Sequence, residues 1–391
     1  MSEAPPRRLC PIVHVADVEP CAPVELEPLV AHLRANAAVS SATTFARGTV
    51  FADGRLDLCK QSLGPGGARV VFDALAGNAH VRHILLGTDG LGQEGAEVVA
   101  RHIEGEDGLE TVFLGCNAIP VDGVARLGAA IGGSGRVRAV WLKRNLLGVE
   151  GSRHVAAMLR GRAPIEVLDL VNTELGDEGV AEVCEAAAGH ATLQWLYLGG
   201  NGLTAAGVAA VASMLRRTPG LRGLSLAVSR LGDAGVEALV EGFGPGSGLE
   251  SLLLPSNDVG PEGVEVLCAG LAGVPGLRRL DLGLAPSTVA LGERPNRLGD
   301  AGASTLAAWL ATDLALAWLD VRGNGMTSRA GLAIEAALAH NGHLCRLRLG
   351  KNVSRRIKRR LAVRLGANAA QHGGAGEMPW HVAAIQSVYR T

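Results

Sequence analysis

LQWLYLGGNGLTAAG, residues 193–207, decides the architecture, because the same pattern returns in phase along most of the chain. VRHILLGTDGLGQEG (81–95), LETVFLGCNAIPVDG (109–123) and VRAVWLKRNLLGVEG (137–151) align with it position by position. So do IEVLDLVNTELGDEG (165–179), LRGLSLAVSRLGDAG (221–235) and LESLLLPSNDVGPEG (249–263). The apolar residue closing each L-x-x-L-x-L core falls at Leu58, Leu86, Leu114, Leu142, Leu170, Leu198, Leu226, Leu254 and Leu282, a step of 28 residues each time. The interval then widens to 39, reaching Val321, and returns to 28 at Leu349. The chain therefore reads as eleven repeats with one insertion of 11 residues.

Each repeat has a physical reading. The L-x-L alternation gives a short strand with one buried face. Three places beyond the closing apolar residue stands an asparagine in most repeats (Asn117, Asn145, Asn201, Asn257, Asn324, Asn352), with Asn296 displaced by the insertion and Thr173 and Ser229 as variants. Its amide suits a turn whose backbone groups have no ladder partner. L-G-x-x-G follows, then an amphipathic helix such as VAEVCEAAAGH, with Asp or Thr near its start as a cap. A lone strand–helix unit cannot bury its apolar face, so the units stack over one continuous core. Helices are wider than strands, so the stack curves with the strands inside.

The pattern resembles the leucine-rich repeat family, in its ribonuclease-inhibitor-like subtype, over about residues 50 to 365. The resemblance implies an α/β solenoid, a horseshoe with parallel strands on the concave face and α-helices on the convex face. It also implies a binding surface rather than a particular ligand. The chain departs from that subtype at Thr173 and Ser229 and in the insertion at 283–295. Residues 1–49 lie outside the register and read as an N-terminal cap, with a helix over 23–39. Repeats occupy 50–352, and 353–391 reads as a basic capping helix followed by a tail, with a flexible connection at 372–380.

Composition narrows the class. Formal net charge is −1 over 391 residues, which favours neither nucleic acid nor an anionic membrane. Seven scattered cysteines do not form a disulfide framework, and the stretch LCPIVHVA is too short and too broken to be a signal-peptide core or a membrane span. A soluble protein of a reducing cytoplasm is expected, and the Ala/Gly/Arg/Val-rich composition points to a high-GC, bacterial genome. Nine Lys or Arg and no acid in 343–365 read first as a solvated capping helix. Without interleaved aromatics, that stretch is a poor nucleic-acid surface.

The residues between and before the last two strand leucines point away from the core, onto the concave sheet. Those 22 positions hold five of the 12 aromatic residues, Phe113, Trp141, Trp195, Tyr197 and Trp318. The expected partner-binding patch is Phe113, Trp141, Asp169, Trp195 and Tyr197, flanked by Lys143 and Arg144. A second cluster combines Arg279, Asp281, Trp318, Asp320 and Arg322, whose opposite charges either face a polar peptide or pair with one another. The insertion, with its apolar centre Val289, Ala290 and Leu291, reads as a flap over the concave floor or as a tolerated surface loop.

No phosphate loop, dinucleotide fingerprint, nucleophile elbow or zinc-binding Cys pair is present in the sequence. His80 and His83, or His340 and His343, lack the further ligands a metal needs. Cys184 and Cys268 fall at inward helix positions, and Cys116 falls beside Arg144, which would lower a thiol pKa. The expectation is a non-enzymatic scaffold, with no cofactor or metal, that binds a protein or peptide on its concave face. Two alternatives stay open: an enzyme or small-ligand site under the 283–296 insertion, and regulation of a nucleotide hydrolase. The second follows from resemblance to the Ran GTPase-activating relatives, whose acidic tail is missing here.

Overall fold

The computed structural model describes residues 10–105, 108–312 and 315–372, which form two compact units meeting in sequence between Leu193 and Gln194. The tail expected from 373 onward lies outside the described residues. Both units are stacks of strand–turn–helix repeats, so each folds as a leucine-rich-repeat solenoid.

In the first unit a short hairpin, β1 (Thr43–Thr44) and β2 (Thr49–Val50), runs antiparallel into β3 (Arg55–Asp57). From there every pairing is parallel and in register: β4 (His83–Leu85), β5 (Thr111–Phe113), β6 (Ala139–Trp141) and β7 (Val167–Asp169). The helices are α1 (Pro23–Arg34), α2 (Gly64–Ala74), α3 (Gly92–Gly105), α4 (Val121–Gly132), α5 (Gly148–Leu159) and α6 (Gly176–Ala187). The α1 helix ends at Arg34, five residues short of the helix expected to 39, and Asn36 takes a left-handed φ of 49° just beyond it.

The second unit repeats the scheme with β8 (Trp195–Tyr197), β9 (Gly223–Ser225), β10 (Ser251–Leu253), β11 (Arg279–Asp281), β12 (Trp318–Asp320) and β13 (Arg346–Arg348). Its helices are α7 (Ala205–Arg217), α8 (Gly232–Val240), α9 (Pro261–Leu271), α10 (Gly299–Leu310), α11 (Ser328–Ala337) and α12 (Arg355–His372). Basic α12 is amphipathic: Ile357, Leu361 and Leu365, four apart, are buried, while Arg360 pairs with Glu335 and Arg364 donates to the carbonyls ending α11.

The core follows the leucine register. Leu56, Leu58, Ile84, Leu86, Val112, Leu114, Val140 and Leu168 are wholly or almost wholly excluded from solvent, as are Leu196, Leu198, Leu224, Leu252 and Leu280 in the second unit. Each of β3 to β7 is only three residues long because the chain turns left-handed two residues past the closing leucine, at Lys60, Thr88, Cys116, Arg144 and Asn172. The second glycine of L-G-x-x-G is required by contact: a Cβ on Gly151 would stand 2.8 Å from Leu147 Cβ. Side-chain caps are fewer than the sequence implies. Among the described residues Thr204 and Thr327 accept from Ala206 and Arg329, whereas Asp177, Asp233 and Asp300 sit inside the first turn, where a negative charge favours the helix dipole.

The asparagines tie one repeat to the next. Asn145 Nδ2 donates to the carbonyls of Leu114 (3.0 Å) and Leu142 (2.8 Å), and its Oδ1 accepts from the N–H of Asn117 (3.1 Å) and Ile119 (3.2 Å). Asn117 serves Asp89 in turn, and Asn257, Asn296 and Asn324 do the same in the second unit. Asp89 occupies this register in the second repeat. Its Oδ1 accepts from Gln61 N–H (2.8 Å), but its Oδ2 is buried with no hydrogen-bond partner. Burial pushes its carboxyl up to about 8, against the backbone N–H groups that favour the charged form. Protonated, the group regains a donor like that of the amide it replaces.

One disulfide corrects the cysteine reading: Cys10 pairs with Cys116 across 106 residues. It fastens the segment before α1 to the turn after β5. Cys116 therefore carries no titrating thiol for Arg144 to activate. Cys184 and Cys268 are buried on helices, the placement their spacing implies.

Candidate binding surface

The strand positions singled out in the sequence lie in register but mostly out of the solvent's reach. Phe113 pairs with Trp141, and Trp141 with Asp169. The two rings lie 6.3 Å apart, centroid to centroid, tilted by 47°. Adjacent strands are about 4.8 Å apart, less than an aromatic ring is wide, so each ring covers its neighbour. Phe113 is 2 % exposed, Trp141 3 % and Asp169 6 %.

Trp195, which belongs to the second unit, is 5 % exposed for a different reason. It faces Gly223 on the next strand, where a Cβ would come within 2.8 Å of the indole Cδ2, so the ring lies down over the glycine. Tyr197 is half-buried. Pointing away from the leucine core thus did not make these side chains accessible.

Lys143 and Arg144 come from the turn after β6 and are half-buried. Lys143 Nζ lies 3.9 Å from Asp169 Oδ2, and Asp169 Oδ1 accepts the N–H of Val171. Burial pushes the Asp169 carboxyl above its ordinary range, with Lys143 opposing the shift. Burial likewise pushes Lys143 down to about 8, although Asp169 pulls it up.

The second cluster is more open. Trp318 pairs with Arg279 on one side and Arg346 on the other, and Asp320 with Asp281 and Arg348. The Arg279 guanidinium lies 4.3 Å from the indole centroid, and that of Arg348 5.6 Å. Asp320, 1 % exposed, is held by Arg322 at 2.6 Å and faces Arg348 at 3.8 Å. Asp281 is half-buried, and burial followed by the neighbouring Asp320 pushes it up to about 6. Arg279 is half-buried, while Arg322, Arg346 and Arg348 are exposed.

The insertion is held at the turns after β9 and β10. Thr288 Oγ1 and Ala285 N–H meet Ser256 Oγ at 2.6 and 3.0 Å, Glu293 pairs with Arg230 at 2.9 Å, and Arg297 with Asp258 at 2.7 Å. Val289, taken from the sequence as its apolar centre, is 87 % exposed. His83 Nδ1 lies 2.9 Å from Thr111 Oγ1, a core histidine satisfied by its neighbour. Among the described residues no group of three or more His, Cys, Asp or Glu is arranged to hold a metal, and no helix is long and apolar enough to cross a membrane.

Sequence reasoning passed over a cavity of about 320 Å³ at the strand ends of the first unit, lined by Lys60, Thr88, Lys143 and Arg144. The register alone does not single it out, since glycine also follows the closing apolar residue at Gly199, Gly283 and Gly350. Gly87 and Gly115 leave a gap at a position where the flanking repeats carry Cys59 and Lys143.

A leucine-rich-repeat family profile matches residues 164–184. Solved structures similar to the chain include actin-binding site 2 of leiomodin-1, at 12 % identity over 54 % of this chain and 94 % of that one, with a TM-score of 0.32. Another is the C-terminal domain of tropomodulin from Caenorhabditis elegans, at 13 % identity over 53 % of this chain and 98 % of that one, with a TM-score of 0.29. Likeness at this level says nothing of what the chain binds. No curated protein matches the sequence.

Proposed function

We propose that the chain is a non-enzymatic scaffold of ribonuclease-inhibitor-like repeats that binds a protein or peptide on its strand face, the concave side expected of such a solenoid. The observation that carries this reading is Trp318 set between the guanidinium groups of Arg279 and Arg348, with Asp281 and Asp320 in register beside it. The aromatic anchor is already ordered by its neighbours, so binding immobilises little, and the charges around it supply orientation. Exposed Arg322, Arg346 and Arg348 meet the partner first, and an acidic or mixed-charge segment suits them best. In the first unit the buried row of Phe113, Trp141 and Asp169 is a rigid floor, with Lys143 and Arg144 at its edge.

Two further observations support the protein-binding reading over a nucleic-acid one and a cytoplasmic setting. Arg360 and Arg364 of α12 are engaged with the preceding helix, so the basic stretch has structural work. Five cysteines, Cys21, Cys59, Cys184, Cys268 and Cys345, are free.

The test is capture from a native lysate with wild type, an Arg322→Ala/Arg348→Ala variant and a Trp141→Ala/Tyr197→Ala variant, each checked for folding by circular dichroism. A protein held by wild type and lost by the arginine variant is expected. Equal recovery by wild type and the arginine variant sinks the reading.

A further inference from the structure

The cavity in the first unit is built from one repeated position and its neighbour. Cys59, Gly87, Gly115 and Lys143 each follow a closing leucine, and Lys60, Thr88, Cys116 and Arg144 come next, all four with left-handed φ between 59° and 67°. The two glycines open the space, and Phe113 fills its floor. A Cβ on Gly87 would stand 2.5 Å from Phe113 Cε1, and one on Gly115 3.1 Å from Phe113 Cζ. Pro11, next to the Cys10–Cys116 bridge, contributes to the wall.

The lining is one-sided in charge. Lys60, Lys143 and Arg144 bring three cations, and among the described residues no carboxylate lines the cavity. Arg144 Nε is buried and has no hydrogen-bond partner among the described residues. Asp169 stands behind Lys143 rather than in the lining, 3.9 Å from its Nζ. The volume, about 320 Å³, suits a compact organic molecule. An aromatic floor beneath clustered cations selects a flat ring carrying an oxyanion.

We propose that this cavity binds a small aryl oxyanion, a compact aromatic ring bearing a carboxylate or phosphate, with the ring on Phe113 and the oxyanion between Lys60, Lys143 and Arg144. The site goes beyond the protein-binding reading and stands apart from the Trp318 cluster that carries it, though it shares Phe113, Lys143 and Arg144 with the strand face of the first unit. Cys59 is a wall and not a nucleophile, because burial drives its thiol well above the ordinary range and keeps it protonated. The bridged Cys116 has no thiol to offer.

Lys143 adds a signature that a merely structural lysine lacks. Its charged form is disfavoured first by burial; Asp169 favours it and Arg144 opposes it. An oxyanion arriving beside it raises its affinity for a proton, so binding near pH 8 takes up a fraction of a proton.

The experiment is isothermal titration calorimetry on the full chain at pH 8, in Tris and in HEPES, with phenyl phosphate, benzoate, inorganic phosphate and neutral benzyl alcohol. Phenyl phosphate or benzoate is expected to bind at least fivefold more tightly than inorganic phosphate, with no binding of benzyl alcohol. Arg144→Gln and Lys143→Met are expected to weaken it at least tenfold without changing the unfolding midpoint of Arg144→Gln. The buffer dependence of the heat reports proton uptake in wild type and its loss in Lys143→Met. If Lys143→Met fails to fold, Arg144→Gln carries the test alone. Absence of binding by any anion up to 5 mM (about −3 kcal/mol) overturns the proposal. So does equal binding by wild type and Arg144→Gln, which would place the anion elsewhere. An acidic peptide that outcompetes phenyl phosphate for the wild type but not for Arg144→Gln identifies the oxyanion as a side chain of the scaffold's partner. Displacement by free aryl acids alone identifies a small metabolite.

Discussion

The strand faces of the two units obey one register and differ in access. On β5–β7 the residues between the leucines are Phe113, Trp141 and Asp169, all buried; on β11–β13 they are Asp281, Asp320 and Arg348, of which only Asp320 is buried. The leucines beneath are alike. What differs is the width of the side chains relative to the strand spacing, and the charge they carry. Rings set side by side shield one another, whereas long cations keep their heads in water and lend their stems to a ring below. A position that points outward is therefore a binding position only if its neighbours leave it uncovered.

The largest expected effect tests whether the β5–β7 face behaves as core. Phe113→Ala should cost about 3–5 kcal/mol of stability, read as a lowered urea midpoint. A cost near that of a surface change would erase the contrast between the two strand faces. Next comes the tether. Cys10→Ser, or reduction of the wild type, should cost about 2–4 kcal/mol in the unit holding Cys10, because the bridge closes 106 residues. Hydrogen exchange should show the loss within 10–193 and not around β11–β13.

Asp89→Asn sharpens the comparison within the first unit by restoring the amide found at Asn117 and Asn145. The folded Asp89 releases its proton only at about 8, whereas an unfolded aspartate does so at about 3.9. Between those values the native state holds a proton the unfolded chain has lost, so this group's contribution to stability falls as pH rises through that window. The variant should be more stable by about 1–3 kcal/mol above pH 8 and should lack that decline when unfolding is followed from pH 4 to 9. The smallest effect belongs to the open face. Arg348→Ala should change stability by no more than about 1 kcal/mol while weakening partner capture. A large stability loss there would make the Trp318 cluster structural and remove the case for it as an anchor.

Much of the fold was written in the 28-residue spacing, because strand leucines, turn asparagines and paired glycines each have one physical task per repeat. The site was less legible. Nothing in the spacing says that Phe113 and Trp141 cover each other, since that depends on ring width across a strand pair. Nor does it say that Trp195 lies over Gly223, although the glycine is visible in the register. The Cys10–Cys116 bridge depends on the path of the segment before α1, which carries no repeat. Asp89 was the missed signal: it breaks the asparagine pattern at a fixed register position and marks a buried carboxyl pushed up to about 8.

The insertion shows how the fold keeps count. Asn296 is 14 residues from Leu282 instead of three, yet its Nδ2 still donates to the carbonyls of Leu254 and Leu282 at 2.9 and 3.0 Å. Its Oδ1 still receives Asn257 N–H at 2.8 Å. The frame is therefore closed around the loop, which is fastened to the neighbouring turns through Ala285, Thr288 and Glu293 and leaves Val289 outside. That makes this rim a socket: foreign peptides of similar length can be spliced in at the exposed Val289 for display, with the neighbouring repeats as an unchanged handle.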